Sequence, residues 1–294
     1  VLPEFDLLVP ETLTEALDLL AAGAPDLVPL AGGTNVVVDL RDRRQHYRTL
    51  MDVSRLGELR GIRRENGHIV VGGGTTIAEL LTNPLIARLG APLRDAAVLF
   101  AGPLVRNRAT VGGNLVDASP AADMAPPLLV LDAEVELVSK EGQRWVPLEE
   151  FLVGVRQTLR QPAELLRAVR WPEPRAGSWA AFKKIGLRKA DAISVLSVAL
   201  SVTCDSLGNC SRARIALGAV APRPVRAYEA ESVLCGERLT QDLATQAGRL
   251  AGQAARPIDD IRGTAAYRRQ VVEVLVRRLA LQAVSRDHTS KKEA

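Results

Sequence analysis

Two short segments concentrate the residue types that hold an anion: Ala31-Gly32-Gly33-Thr34-Asn35 and Thr110-Val111-Gly112-Gly113-Asn114. Each pairs two glycines with a threonine and an asparagine. Glycine lets the backbone approach a ligand closely and adopt positive φ, so consecutive N–H groups can point at one anion. Threonine hydroxyls and asparagine amides add side-chain donors. A single Gly-Gly turn is most simply a tight connection. Two of them in matching chemistry predict facing turns that hold a pyrophosphate without any lysine or arginine. Neither has the G-x-G-x-x-G spacing, so a dinucleotide fold of that kind is not implied. Gly72-Gly73-Gly74-Thr75-Thr76 is a third candidate, and its place between a strand and a capped helix gives it a structural reading.

Other chemistries find little support. Cys204, Cys210 and Cys235 are an odd, sparse set without C-x-x-C spacing, which argues against a disulfide framework and against zinc or iron–sulfur ligation, and fits a reducing cytoplasm. His46, His68 and His288 share no ligand-like spacing. There is no G-x-S-x-G elbow and no G-x-x-x-x-G-K-[ST] loop. Whatever chemistry occurs here is therefore not carried by an obvious side-chain nucleophile or metal.

The elements that must position the glycine segments follow from periodicity. Thr12 and Glu15 form a capping-box pattern, Leu13, Ala16, Leu17, Leu20 and Ala21 make one helical face, and Gly23 ends it. Leu27-Val28-Pro29-Leu30 reads as a strand running into the first glycine segment, with a short helix after it. Thr49 to Val53 is a further strand closing a first lobe, and a second lobe opens near Ser54. There Ile69 to Gly72 is a strand, Thr76 and Glu79 form another capping box, and residues 84–99 are helical in pattern. Val135, Leu137 and Trp145 suggest antiparallel strands, with another at Leu165 to Val169. Trp171-Pro172-Glu173-Pro174-Arg175-Ala176-Gly177 interrupts any regular element and marks the domain boundary. Beyond it come strands at Trp179–Ile185, Ile193–Cys204 and Arg212–Val220, then helices near 224–235, 240–254 and 264–286. The last helix has Thr264 as cap and Tyr267, Val271, Leu275 and Leu279 as its stripe. The residues from Ser290 onward read as a frayed tail.

The expected architecture is α+β: a two-lobed domain over 1–175 (lobes about 1–54 and 55–175), then a smaller domain over 176–290 of three antiparallel strands plus three helices. With 294 residues and 47% hydrophobic content the chain can bury a substantial core. Net charge is only +4, with basic and acidic residues intermixed, so a dedicated nucleic-acid binder is not indicated. The 3% aromatic content speaks against base stacking as well. No apolar run approaches the roughly 20 residues that cross a bilayer. Val1-Leu2-Pro3-Glu4-Phe5 lacks the basic and apolar parts of a secretion signal, which again fits the cytoplasm.

Ala31-Gly32-Gly33-Thr34, the Thr110 to Asn114 segment and Ala118-Ser119-Pro120-Ala121-Ala122-Asp123 resemble the FAD-binding (medium) subunit of the molybdenum hydroxylases, the xanthine dehydrogenase and carbon monoxide dehydrogenase family. Phe182-Lys183-Lys184-Ile185 with Arg188, Asp191 and Ala192 resembles the opening of that family's C-terminal domain. The likeness runs over nearly the whole chain. It implies a flavin domain of the p-cresol methylhydroxylase type and a C-terminal domain of the carbon monoxide dehydrogenase flavoprotein type.

By this resemblance the FAD pyrophosphate is wrapped by Pro29, Leu30, Ala31, Gly32, Gly33, Thr34, Asn35 and Val36. Thr110, Val111, Gly112, Gly113 and Asn114 supply the second cofactor-binding segment. Phe100 corresponds to an aromatic near the cofactor, Asp123 to a carboxylate on its hydroxyls, Leu166 to a strand contact and Lys183 to a lysine reaching the flavin. Read without the family, Phe100, Asp123 and Lys183 are a core aromatic, a helix-start acid and a solvated lysine. The resemblance further implies electron transfer: from [2Fe–2S] clusters of an iron–sulfur subunit, fed by a molybdenum-pterin subunit, through FAD here to an external acceptor. The expected assembly is a dimer of heterotrimers. No residue of this chain need act as acid, base or nucleophile on the organic substrate. Some relatives carry a four-cysteine iron–sulfur insertion in this subunit, and the late cysteines here predict none. The alternative is a free-standing flavoenzyme of similar cofactor fold, such as a UDP-sugar reductase.

Overall fold

The computed structural model describes residues 2–188 and 191–290; Val1 and the tail from Lys291 lie outside the described residues. The first lobe holds β1 (Asp6–Leu8), α1 (Leu13–Gly23), β2 (Leu27–Leu30), α2 (Val36–Arg41) and β3 (Thr49–Asp52). β3 runs between β1 and β2 and is parallel to each. Parallel neighbours need crossovers, and α1 and α2 provide the helical part of them. The capping box on α1 is half made. Thr12 accepts from the Glu15 N–H at 3.2 Å, but the Glu15 carboxylate takes the Glu11 N–H at 2.7 Å. Ala16 and Leu20 of α1 are buried with Leu27 and Met51, and this core continues into Leu59, Val138 and Leu165 of the second lobe. The two lobes thus share apolar packing.

The second lobe contains β4 (Ile62–Glu65), β5 (His68–Gly72), α3 (Ile77–Thr82), α4 (Pro84–Leu89), α5 (Ala91–Leu99), α6 (Pro103–Arg106), α7 (Val111–Val116) and α8 (Ala125–Val130). It continues through β6 (Glu134–Ser139), β7 (Gly142–Pro147), α9 (Leu148–Phe151), β8 (Leu152–Gly154), β9 (Gln157–Thr158) and β10 (Leu165–Pro172). Its antiparallel sheet has the order β4-β5-β10-β6-β7. Alternation splits the faces. Ile69, Val71, Val135, Leu137, Val169 and Trp171 join the buried core with Ile77, Leu80 and Leu93 from the helices. The other face carries charge. Arg170 bonds Glu134 at 2.8 Å and stacks over Trp145, and Arg167 pairs with Glu136. The Thr76–Glu79 capping box forms in full at α3.

The C-terminal part is a sheet of β11 (Ser178–Gly186), β12 (Ser194–Cys204), β13 (Cys210–Gly218) and β14 (Val225–Arg226), followed by α10 (Tyr228–Leu234), α11 (Gln241–Ala254) and α12 (Ala265–Ser290). The two-residue β14 is an addition to the three expected strands, and it delays the next helix to Tyr228. β12 is sandwiched. Leu196, Val198, Leu200 and Val202 face the helices, whereas Ala199, with Ala216 of β13 and Phe182 of β11, joins the core of the second lobe. Small residues on that face let the two domains close on each other. The stripe on α12 is turned relative to the expected one. Tyr267 is half exposed, and the buried set is Val272, Leu275, Val276 and Leu279. Gly248 and Gly252 of α11 explain this, because a Cβ at either would collide with Glu273, so α11 lies tight against that side of α12. Asp132, between α8 and β6, ties the domains further by accepting from Arg212, from Arg214 at 3.0 Å and from Arg226 at 3.3 Å. Among the described residues, no helix is long and apolar enough to cross a membrane.

Candidate functional site

The first glycine segment leaves the end of β2, where Pro29 and Leu30 are half buried, and turns into α2. Gly33 sits at φ +73°, a conformation L side chains rarely adopt. Gly32 is glycine for a different reason: a Cβ there would overlap the Arg108 carbonyl. The carbonyls of Gly33 and Asn35 accept from Val37 N at 3.0 Å and Asp39 N at 2.8 Å, starting the helix. The N–H groups of Gly32, Gly33, Thr34 and Asn35 donate to no other described residue. Four consecutive unspent donors at a glycine turn are what an anion site needs. Ala31 and Val36 bracket it, both half buried.

The second segment departs from the expected facing turn. Thr110 is the N-cap of α7, and Val111, Gly112, Gly113 and Asn114 lie in its first turn. Thr110 Oγ1 accepts from Gly113 N at 3.1 Å, and Thr110 O accepts from Asn114 N at 3.0 Å. Gly112 N donates to Gly73 O at 2.8 Å and Val111 N to Thr75 O at 3.0 Å. These N–H groups are spent within the protein, and neither Gly112 nor Gly113 has positive φ. The glycines serve close approach instead. A Cβ on Gly112 would lie 2.7 Å from Gly73 O, and one on Gly113 2.8 Å from Thr110 Oγ1. The Asn114 side chain accepts from Met124 N at 3.2 Å, fixing the loop that carries Asp123. Gly73 and Gly74 donate to Arg167 O and Leu59 O, each at 2.7 Å, in the structural role expected of the third turn. Leu166 is a buried residue of β10 whose carbonyl would overlap a Cβ on Gly73, so it acts beneath that turn.

Sequence reasoning missed a clamp between the two glycine segments. Arg156, in the β8–β9 connection, bonds buried Asp39 of α2 at 2.9 Å and approaches Asp117, just past α7, at 3.6 Å. Its own N–H donates to Ala118 O at 3.0 Å. The hydrogen bond to Asp39 raises the guanidinium pKa, while burial and then Asp39 raise that of Tyr47. No local motif announces this arginine. Its partners are 117 and 39 positions away.

The fourth component joins the two domains. Asp123 is buried, and its carboxylate accepts from Lys184 Nζ and from Ser194 Oγ, each at 2.5 Å. Burial pushes this carboxyl up, against the pull of Lys184 and Ser194. Lys184 Nζ also reaches the Leu99 carbonyl at 3.2 Å, next to Phe100, which caps α5 and packs on the second-lobe core. Lys183 is not a member of this buried group. Alternation along β11 turns it away, where it is exposed, and the lysine that bonds Asp123 is its neighbour Lys184. The F-K-K run leaves the choice open in sequence; only the strand register decides it.

A two-lobed domain with unspent N–H donors at a glycine turn, joined to a C-terminal sheet that inserts a lysine onto a buried carboxylate, has the parts of a nucleotide-cofactor carrier. Residues 3–174 match the family described as the FAD binding domain in molybdopterin dehydrogenase, and residues 180–283 the CO dehydrogenase flavoprotein C-terminal domain. The chain belongs to this family of FAD-binding dehydrogenase chains. It is 36% identical to the 6-hydroxypseudooxynicotine dehydrogenase complex subunit alpha of Paenarthrobacter nicotinovorans, over 98% of this chain and 97% of that one. It is 34% identical to the carbon monoxide dehydrogenase medium chain of Afipia carboxidovorans, over 96% and 97%. Its structure resembles the carbon monoxide dehydrogenase of Hydrogenophaga pseudoflava with TM-score 0.92 and 32% identity, covering 97% of this chain and 98% of that one. These relatives favour the family reading over a free-standing reductase. The residues present fit FAD: the open donors from Gly32 to Asn35 suit a pyrophosphate, and Asp123 suits hydroxyl donors.

Two outcomes follow. Gly32→Ala should purify with clearly less FAD per chain than the parent, measured by visible absorbance, while Gly57→Ala, where a Cβ meets nothing within 4 Å, should not. Lys184→Ala should lower stability by about 3–5 kcal/mol because it strands a buried carboxylate. Lys183→Ala should stay within about 0.5 kcal/mol of the parent. Equal denaturation midpoints for these two variants would contradict the assignment of the buried lysine.

Proposed function

We propose that this chain is the FAD-binding electron-transfer subunit of a heteromeric molybdenum-containing hydroxylase or dehydrogenase. What carries the proposal is the open row of N–H donors at Gly32 to Asn35, set in a chain whose full length resembles carbon monoxide dehydrogenase medium chains. FAD, when bound, accepts electrons one at a time and passes them on singly or in pairs. The donors of the first segment hold the pyrophosphate, with Pro29, Leu30, Ala31 and Val36 shaping the walls. Thr110 through Asn114 hold α7 against Gly73 so that the second lobe meets the cradle at a fixed distance. Asp123 takes cofactor hydroxyls, Lys184 sets the positive charge beside it, and the exposed Lys183 reaches toward the flavin. Phe100 and Leu166 exclude water from the apolar side.

The proposed domain limits are 1–175 for the FAD-binding domain and 176–290 for the C-terminal domain, in keeping with the break between β10 and β11. Electrons enter from [2Fe–2S] clusters of an iron–sulfur partner subunit, which a molybdenum-pterin subunit supplies. The proposed assembly is a dimer of such heterotrimers in the cytoplasm, and the acceptor is external. The chain supplies binding, orientation and local charge, and substrate choice belongs to its partners.

The test compares the chain purified alone with the chain co-expressed with iron–sulfur and molybdenum subunits. Alone it should bind one FAD and reduce an artificial dye slowly at most. Oxidation of aldehydes, purines, N-heterocycles or carbon monoxide should require the partners. Turnover of any of these by the isolated chain would sink the electron-relay reading.

A further inference from the structure

The three cysteines, dispersed in sequence, meet at one end of the C-terminal sheet. Cys204 and Cys210 are directly opposed across β12 and β13, after a register shift that brings them into line. Directly opposed residues of an antiparallel pair project to the same face. Cys210 is also paired on its other side, its N–H donating to Glu237 O at 2.9 Å and its carbonyl accepting from Gly236 N at 2.8 Å. Cys235 is the C-cap of α10 and packs on the same core, directly before Gly236, whose N–H the Cys210 carbonyl takes; the Cys210 thiol itself donates to Arg212 O at 3.3 Å. Cys210 is fully buried, whereas Cys204 and Cys235 are half buried. Among the described residues, no cluster of histidine, cysteine or carboxylate side chains is placed to hold a metal ion, so the cluster does not read as a zinc or iron–sulfur site.

We propose that Cys210 and Cys235 form a peroxide-sensitive thiol pair that closes to a disulfide joining β13 to the end of α10. Division of labour follows from exposure. Burial pushes the Cys210 thiol up to about 12, with the neighbouring sulfurs adding to the shift, so it carries almost no thiolate at neutral pH and is a poor first target. Cys235, nearer solvent, reacts first. Its sulfur displaces one oxygen of hydrogen peroxide, giving a sulfenic acid and one water. The Cys210 sulfur then attacks the Cys235 sulfur. The new S–S bond forms as the S–O bond breaks, and the departing hydroxyl leaves as water with the Cys210 proton. Two thiols and one peroxide thus yield one disulfide and two waters. Cys204, opposite Cys210, is the third thiol of the cluster, and this step does not use it. The proposal is independent of the cofactor reading, since it needs only the folded C-terminal sheet and an external peroxide.

The experiment uses the full chain, purified reduced, exposed to millimolar hydrogen peroxide, and analysed by thiol titration and by mass spectrometry of peptides digested without reduction. The expected result is loss of two of three thiols with a Cys210–Cys235 crosslink, reversed by dithiothreitol. Cys210→Ala should stop at a sulfenic acid on Cys235 that a dimedone-type reagent traps, and Cys235→Ser should lose the crosslink with FAD content unchanged. Loss of fewer than two thiols, or a crosslink that instead uses Cys204, would overturn the assignment. If either variant misfolds, the crosslink map of the parent chain decides alone.

Discussion

The architecture depends on backbone meeting backbone where a side chain would not fit. Gly32 rests on the Arg108 carbonyl, Gly112 on Gly73, and Gly73 on the Leu166 carbonyl, so three segments from two lobes interleave with no room for a Cβ at any step. Each contact is backed by a hydrogen bond or by packing: Gly112 N to Gly73 O, Gly73 N to Arg167 O, and the shared core around Leu59 and Leu165. Of the three glycine segments, the first is the one whose N–H groups donate to no described residue. That row of donors is what the proposed pyrophosphate site rests on. Arg156 then holds the helices beyond both segments through Asp39 and Asp117, and the cradle cannot widen without breaking a partly buried ion pair.

The second organising contact is the Lys184–Asp123–Ser194 group. It contains residues of both domains, it is buried, and each partner satisfies another's charge or hydrogen-bonding need. A C-terminal sheet that merely lay against the flavin domain could slide. One that inserts a lysine onto a buried carboxylate is fixed in register, because removing either charge leaves the other stranded. The small residues Ala199 and Ala216 allow the approach, and the arginines gathered on Asp132 hold the opposite end.

Much of this was legible in the sequence, and the reasons are physical. Helices and strands with clean periodicity, such as α1, β5, β6, β12 and α11, bury one face against a neighbour and so carry their pattern openly. Paired glycines, read as places where backbone approaches a ligand, proved at Gly32 and Gly112 to be places where backbone meets backbone. What they did not reveal was why each glycine is there. Gly33 needs its φ, whereas Gly32 and Gly112 need the space, and a sequence looks the same in either case. Which of Lys183 and Lys184 meets Asp123 is a one-residue choice that strand register alone resolves. Arg156, Ser194 and the meeting of the three cysteines rest on contacts between residues far apart in the chain, which no local window contains.

The account's central claim is that the open N–H row from Gly32 to Asn35 binds a pyrophosphate, and the most direct measurement compares two flavins on the cofactor-free chain. Titrations with FAD and with FMN, followed by quenching of flavin fluorescence, separate the pyrophosphate and adenosine from the ring they share. The account predicts one tightly bound FAD per chain and weak binding of FMN, with inorganic pyrophosphate competing against FAD. Equal affinity for the two flavins, or indifference to pyrophosphate, would contradict it.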